Sequence, residues 1–489
     1  MFEKITPEKA GISSVKVLEF MKIVDEYAPG THSVIMARGG KIFHECYYAP
    51  FHKDFKHRMY SVTKSFMAMA IGLLIEEGKL SFEDKFVDLY PEYLGENKSE
   101  LLAELTIRDM LTMETASSKD LFWFLDKPED RCTVYAQTPC DKIPGTLFDY
   151  DSPGSFMLGT LVERITGKTF FEFLKERFLD DIGFSQDAYC LTAPGGYAWS
   201  DSGIMCTTRD MLIFAQFVMN KGVWNGKRYI NEKFMNDATS KQVDNNPMGI
   251  MNYDCCGYGY QIWIGPRNTF FFNGMGGQLA ICVPDKDLIF AINADVQGNP
   301  SAKQMVYYGV MQIIAENLSE QMSDDEKAYG ELTEYCKDLK LYSLKGNTQS
   351  DFAKEINGVT YSLEKNPMNI EKIRFDFEGN KGKLRFCNAT GEKELCFGMG
   401  YNEFGKFPED GYSDVVGSVA VPGNKYDCAC SAIWAEPQKL QIKVQIIDKY
   451  FGNGTMTFGF KDNRVGICMA KNAEAFLCEY EGVAIGHRE

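Results

Sequence analysis

The stretch Tyr60-Ser61-Val62-Thr63-Lys64-Ser65-Phe66-Met67-Ala68-Met69-Ala70-Ile71-Gly72-Leu73-Leu74-Ile75-Glu76-Glu77-Gly78 decides how this chain is read. From Phe66 to Ile75 it is apolar nearly all round, the pattern of a helix buried inside a domain. Ser61 and Lys64 open that helix, so their spacing of three puts hydroxyl and amine on one face of its first turn. Burial disfavours a charged amine, and the positive end of the helix dipole does the same, leaving a form that accepts a proton. Gly78 is the expected left-handed stop.

Working outward, the periodicity predicts a helix over 13–26 and two strands over 33–37 and 41–48. Arg38-Gly39-Gly40 forms the hairpin turn between those strands. Residues 80–150 read as short helices and loops, with a capped turn set at 105–111. Ser152-Pro153 opens a helix to 165 as cap and first-turn proline, and a further helix covers 208–220. Strand signals return at 258–264, 279–283 and 288–293, and a helix over 305–317 follows. This order predicts an α+β fold: an antiparallel sheet with two early strands beside three late ones, flanked by helices and interrupted by a large helical insertion.

The acidic run Ser319-Glu320-Gln321-Met322-Ser323-Asp324-Asp325-Glu326 ends that region, giving an expected first domain over 1–325 and a linker over 326–349. From 350 to 489 the texture changes to period two. Ile373, Phe375 and Phe377 alternate with charged residues, as do Leu440, Ile442, Val444 and Ile446, then Met456, Phe458 and Phe460 with small polar ones. An all-β accessory domain is expected there, with a role in packing, lid formation or assembly.

Composition removes whole classes of function. The 489 residues carry 52 basic and 68 acidic side chains, a net charge of -16, with no basic patch, which argues against nucleic-acid binding. No apolar run approaches a membrane span and the start has no signal-length segment, so a cytoplasmic protein without a membrane partner is expected. The 15 cysteines, irregularly spaced, read as reduced thiols. The five histidines leave 58–486 empty. With no HExxH and no cysteine pair at zinc spacing, neither a zinc site nor any other cofactor is expected. A Ser-His-Asp hydrolase also fails: there is no Gly-x-Ser-x-Gly elbow and His487 is two residues from the end.

Two further pieces complete a constellation. Tyr150 stands just ahead of the helix at 152, where a phenol beside an amine is a serviceable proton carrier. Phe272-Asn273-Gly274-Met275-Gly276-Gly277-Gln278 leads into a strand, and its glycines allow close approach of a carbonyl to backbone amides. Ser61-x-x-Lys64, the following Glu76 to Lys85, Leu105 to Met113, Tyr150 ahead of Gly159-Thr160-Leu161, and Gly274 to Gln278 before Pro284-Asp285-Lys286-Asp287-Leu288 together resemble one family. It is the serine β-lactamase and penicillin-binding-protein superfamily, in its class C-like esterase and peptidase branch, over about residues 5–315.

The resemblance implies that Ser61 is the acylated nucleophile, that Lys64 deprotonates it, and that Tyr150 relays the proton. It also implies an oxyanion hole from the amides of Ser61 and of a residue near Gly276, with Ser152, Asn273, Gly274 and Met275 against the substrate. Two positions depart from the family pattern. Ser152 stands where an asparagine is usual, and Phe272-Asn273-Gly274 replaces Lys-Thr-Gly or His-x-Gly, removing the cation for a substrate carboxylate. Arg267 and Lys286 are the nearby cations in sequence, and Trp123, Phe124 and Trp199 the candidate pocket walls. The expected activity is hydrolysis of a small ester or amide through an acyl-enzyme, esterase activity foremost, without β-lactamase activity. The alternatives are a non-catalytic binding or regulatory module on the same fold, or an acyltransferase or cyclic-amide hydrolase.

Overall fold

The computed structural model describes residues 2–96, 99–118, 130–246, 248–250, 252–417, 419–473 and 477–489. The chain forms two compact units, Met1–Lys340 with Asp414–Val419, and Leu341–Ser413 with Ala420–Glu489.

The first unit is built on a seven-stranded sheet. Its strands are β1 (Glu3–Lys4), β2 (Thr31–Arg38), β3 (Lys41–Tyr47), β4 (Trp263–Ile264), β5 (Phe270–Gly274), β6 (Gln278–Val283) and β7 (Leu288–Ala294), in spatial order β1-β3-β2-β7-β6-β5-β4. All pairs are antiparallel except β1 with β3. The early pair thus lies beside the late strands, as the sequence predicts. β2, β6 and β7 are almost entirely buried, which fits a sheet covered on both faces.

One face carries α1 (Ser14–Tyr27), capped by the Ser13 hydroxyl, whose Val17, Phe20, Met21 and Val24 are buried. Phe20 meets Phe290 of β7 edge to face, ring centroids 5.4 Å apart. The other face leads to the helical insertion, which contains α2 (Val62–Glu76), α3 (Ile107–Thr112), α4 (Ser152–Thr166) and α5 (Thr208–Met219). In α2 every residue from Val62 to Leu74 is buried. Its Phe66 stacks on Phe214 of α5 at 3.6 Å, and Phe214 in turn contacts Phe272 of β5 at 5.2 Å. Both caps of α3 and α5 are boxes, Thr106 with Asp109 and Thr207 with Asp210.

Several expectations change. The strand expected over 258–264 shortens to Trp263–Ile264, because Gln261 turns to φ 56° and spends its amide on neighbouring helices. A fourth late strand, β5, precedes the glycine-rich stretch, which therefore closes a hairpin with Gly274 opposite Gln278. The helix expected at 305 starts earlier, as α6 (Pro300–Tyr308) with proline in its first turn. Residues 326–337, read as linker, form α7 (Glu326–Lys337), capped by Asp325 and buried at Ala328 and Leu332; it packs on α1. Asp414–Val419 pairs with Thr192, whose N–H donates to the Val415 carbonyl (2.8 Å) and whose carbonyl accepts from Gly417 N–H (2.8 Å).

The second unit is a ten-stranded sheet. Its Gly391–Met399 and Asp427–Glu436 strands also pair, in parallel at Gly398 with Ser431 and Met399 with Ala432, which makes it barrel-like. The period-two residues point inward: Phe375, Leu440, Ile442, Val444, Phe458 and Phe460 are buried, while Phe377 is half-buried.

Candidate active site

Ser61 is the residue immediately before α2, so its N–H lies ahead of the helical ladder and is not used by it. The chain reaches it through two constraints. Met59 N–H donates to the Ile204 carbonyl (2.8 Å), and Tyr60 sits at φ 47°, a costly left-handed conformation for a tyrosine. Tyr60 is buried beneath Arg58, whose guanidinium carbon is 4.4 Å from the Tyr60 ring centroid and 4.1 Å from that of Trp199.

Lys64 Nζ lies 3.1 Å from Ser61 Oγ and donates to the main-chain carbonyl of Asp201 at 2.8 Å. The Asp201 carboxylate is 4.0 Å from the same nitrogen, and both side chains are essentially sealed, at 1% and 2% exposure. Asp201 Oδ1 has no hydrogen-bond partner among the described residues. The sequence reading missed Asp201. The sequence shows it only as one acidic residue between Ser200 and Ser202; its role comes from the 199–203 turn, where Gly203 N–H returns to the Trp199 carbonyl (2.7 Å). That turn presses against α4 so closely that a Cβ on Gly159 would lie 2.0 Å from Ser200 Cβ. Only glycine fits there.

Tyr150 presents its ring to the amine, with Lys64 Nζ 5.3 Å from the centroid, and is backed by Trp263 of β4 in a stack at 5.5 Å and 23°. Among the described residues its hydroxyl forms no hydrogen bond to Ser61 or Lys64.

The cap of α4 is Asp151, not Ser152: its carboxylate accepts from Gly154 N–H (2.8 Å) and Thr115 Oγ1 (2.8 Å). Burial pushes the Asp151 carboxyl up from its ordinary value, against the hydrogen bonds from Gly154, Thr115 and Tyr135. Ser152 is instead the first helical residue, and its buried hydroxyl has no hydrogen-bond partner among the described residues. The two-residue ambiguity of an Asp-Ser-Pro run hid this.

Gln261 holds the helices in place. Its Nε2 donates to the Met110 and Leu111 carbonyls of α3 (2.9 and 3.1 Å), and its Oε1 accepts from Ser155 of α4 (2.7 Å). Its own carbonyl accepts from Ser65 of α2 (2.7 Å). One buried side chain and its carbonyl therefore join the helices that carry Ser61, Lys64 and the stem of Tyr150.

The hairpin turn Met275–Gly277 faces the serine stem, since a Cβ on Gly274 would lie 2.4 Å from the Met59 carbonyl. Gly276 sits at φ 76° and its carbonyl accepts from Val296 N–H (2.8 Å). A buried polar thread fixes the turn from across the sheet. Ser33 meets Thr208 (2.7 Å), Thr208 donates to Asn293 (2.7 Å), and Asn293 donates to Gln278 Oε1 (2.8 Å). Gln278 Nε2 then donates to the Met275 and Ala294 carbonyls (2.9 and 2.7 Å).

Neither sequence-neighbouring cation reaches Asn273. Arg267 pairs with Glu316 on the surface (2.7 Å), and the Lys286 carbonyl receives Arg38 Nε (3.2 Å) at the far turn of the sheet. Lys303 of α6 does reach it, with Nζ 3.2 Å from Asn273 Oδ1. Desolvation lowers the Lys303 pKa, opposed by the charge of Asp254, and no carboxylate lies within ion-pair distance among the described residues. Thirty positions of intervening chain concealed this pairing. Trp199 is fully buried and so walls no open pocket, while Trp123 and Phe124 lie outside the described residues.

A serine and a lysine one turn apart at the mouth of a buried helix, beside a sheet whose β5–β6 hairpin is glycine-rich, define a β-lactamase and penicillin-binding-protein type of serine-hydrolase superfamily. The chain belongs to the family described as Beta-lactamase, whose family model matches residues 21–310. It is 24% identical over 216 residues to the 6-aminohexanoate-dimer hydrolase of Paenarthrobacter ureafaciens, a match covering 41% of this chain and 55% of that protein. The chain thus spans about half the length of that relative. A Bacillus anthracis structure described as a "putative 6-aminohexanoate-dimer hydrolase" superposes with TM-score 0.53 at 20% identity, covering 65% of this chain and 88% of the other. EstCE1, a hydrolase with promiscuous acyltransferase activity, superposes with TM-score 0.50 at 14% identity, covering 61% and 98%. Among the described residues no helix is long and apolar enough to cross a membrane.

Proposed function

We propose that the protein is an acyl-serine hydrolase of small esters and amides, with Ser61 as nucleophile. The observation that carries this reading is the 3.1 Å approach of Lys64 Nζ to Ser61 Oγ, with the same nitrogen anchored on the Asp201 carbonyl. Held so, the amine stands within hydrogen-bond reach of the serine hydroxyl whose proton it would take.

In the proposed reaction Ser61 Oγ bonds to the acyl carbon while its proton passes to Lys64 Nζ. The carbonyl oxygen becomes an oxyanion, received by the amide of Ser61 and by the turn at Gly276. The intermediate collapses, the bond to the alkoxide or amine breaks, and the leaving group takes the proton through the Tyr150 hydroxyl. Water then adds to the acyl carbon, its proton returning along the same pair, and the acid departs as Ser61 regains its hydrogen. No cofactor enters these steps.

The substrate class follows from the surroundings. Lys303 beside Asn273 offers a cation near the turn, which suits a carboxylate on the substrate, and the free Ser152 hydroxyl suits an amide or ester oxygen. The relatives named for 6-aminohexanoate-dimer hydrolysis are consistent with a linear amide bearing such a carboxylate. β-Lactamase activity is not part of this proposal.

Labelling the folded protein with a fluorophosphonate, followed by peptide mapping, tests the nucleophile. An adduct on Ser61, absent in Ser61→Ala, is expected; an unlabelled Ser61 leaves the fold as a binding module. For the anchor, Lys303→Met is expected to raise KM about tenfold for a carboxylate-bearing nitrophenyl ester and to leave its neutral counterpart unchanged.

A further inference from the structure

On the sheet face opposite the helical insertion, β3 presents His44 and Cys46 side by side toward α1 and α7, because alternate strand residues share a face. Cys336, in the last turn of α7, comes up beneath them. One ligand atom from each of the three residues lies within 4.8 Å of the other two. We propose that His44, Cys46 and Cys336 bind a zinc ion.

Two observations support the site. His44 is buried, and its Nε2 has no hydrogen-bond partner among the described residues, an expensive state for an imidazole nitrogen unless something else binds it. The geometry is close as well. Zinc–sulfur and zinc–nitrogen bonds of roughly 2.3 and 2.0 Å place tetrahedral ligands about 3.5–3.8 Å apart, a contraction of about an ångström from the upper bound.

Charge selects the ion. The surroundings include the apolar Val17, Met21, Leu332 and Leu339; of the neighbouring carboxylates, Glu45 is taken up by Lys4 and Arg209, and Asp25 by the hydroxyls of Tyr48 and Tyr335. Two thiolates and a neutral imidazole around Zn²⁺ sum to zero. A monovalent copper ion would leave a net negative charge in that core, which burial penalises. Binding releases the two thiol protons to solvent and involves no oxidation or reduction. The fourth position goes to water. His44 and Cys46 lie 290 or more positions from Cys336, so no local spacing motif announces the site.

The full chain, reduced and stripped with chelator, is titrated with Zn²⁺ and with Co²⁺ as a spectroscopic probe. About one zinc per chain by elemental analysis is expected, with thiolate-to-cobalt charge-transfer absorption and a rise in Tm on zinc addition. Cys336→Ser, at a half-buried helix end, should keep the metal-free Tm and weaken zinc binding at least a hundredfold; His44→Gln should do the same. Failure to retain zinc at micromolar free metal would overturn the proposal. So would a Cys46–Cys336 disulfide, seen as the loss of two hydrogens by mass, or zinc binding that survives both substitutions.

Discussion

Lys64 is gripped from both sides, by the Asp201 carbonyl at 2.8 Å and the Ser61 hydroxyl at 3.1 Å, with no water-exposed surface left to wander over. Lys64→Met keeps the volume of the stem and removes the proposed proton acceptor, so kcat should fall about a thousandfold with the fold intact by circular dichroism. Asp201, whose main-chain carbonyl holds Lys64 Nζ, is proposed as a positioning residue. Asp201→Asn keeps that carbonyl and the side-chain volume, so the fold should hold while kcat falls with KM little changed; an unchanged kcat would assign Asp201 a purely structural role. The one-turn spacing of Ser61 and Lys64, and the place of Tyr150 just ahead of α4, were legible in sequence from helix periodicity and the cap signal. Asp201 and Lys303 were not, since each meets the site only through long-range packing. Ser152 was misassigned as the cap of α4 because Asp151, one residue earlier, offers the same chemistry with a carboxylate.

At the scale of elements, α2, α3 and α4 are held together through Gln261, in a stretch the alternation pattern marks as strand. Gln261→Leu removes the side-chain bonds to the Met110 and Leu111 carbonyls and to the Ser155 hydroxyl, while the Leu111 carbonyl keeps the Gln261 N–H and Ser155 keeps the Asp151 carbonyl. A loss of about 1–3 kcal/mol in urea unfolding is expected. Gly159→Ala should act at the neighbouring contact, forcing α4 away from the turn that carries Asp201 and lowering both Tm and kcat. The sheet order was legible because β2, β6 and β7 carry apolar runs bounded by turns, and the two glycines after Arg38 fold β3 back on β2. The shortening of the strand before Trp263 was not, because a positive φ at Gln261 is paid back by tertiary hydrogen bonds that no local pattern contains.

At the scale of the molecule, the change from mixed periodicity to strict alternation near residue 350 was visible in sequence, since a β-unit with one buried face must alternate. The six residues 414–419 were not, being too short to carry any period, yet they belong to the first unit and pair with Thr192. A chain ended after Lys340 loses both hydrogen bonds to Thr192 and should melt several degrees lower than the first unit does in the whole protein. The second unit has its own acid sensitivity. Burial raises the Glu409 pKa, but bonds from Tyr480, Lys393 and Asn388 outweigh it and leave the carboxyl below its ordinary 4.5. A depressed folded pKa stabilises above the unfolded value and is lost as pH falls below it. Glu409→Gln should therefore destabilise the protein at pH 7 and progressively less below about pH 4.5, read by urea titration at both ends.

The thread from Ser33 through Thr208, Asn293 and Gln278 to the Met275 carbonyl contains hydroxyls and amides only. None of these groups gains or loses a proton between acid and alkali. The glycine turn is consequently tied to the sheet by bonds that do not titrate, and a change of pH leaves this anchor of the turn in place.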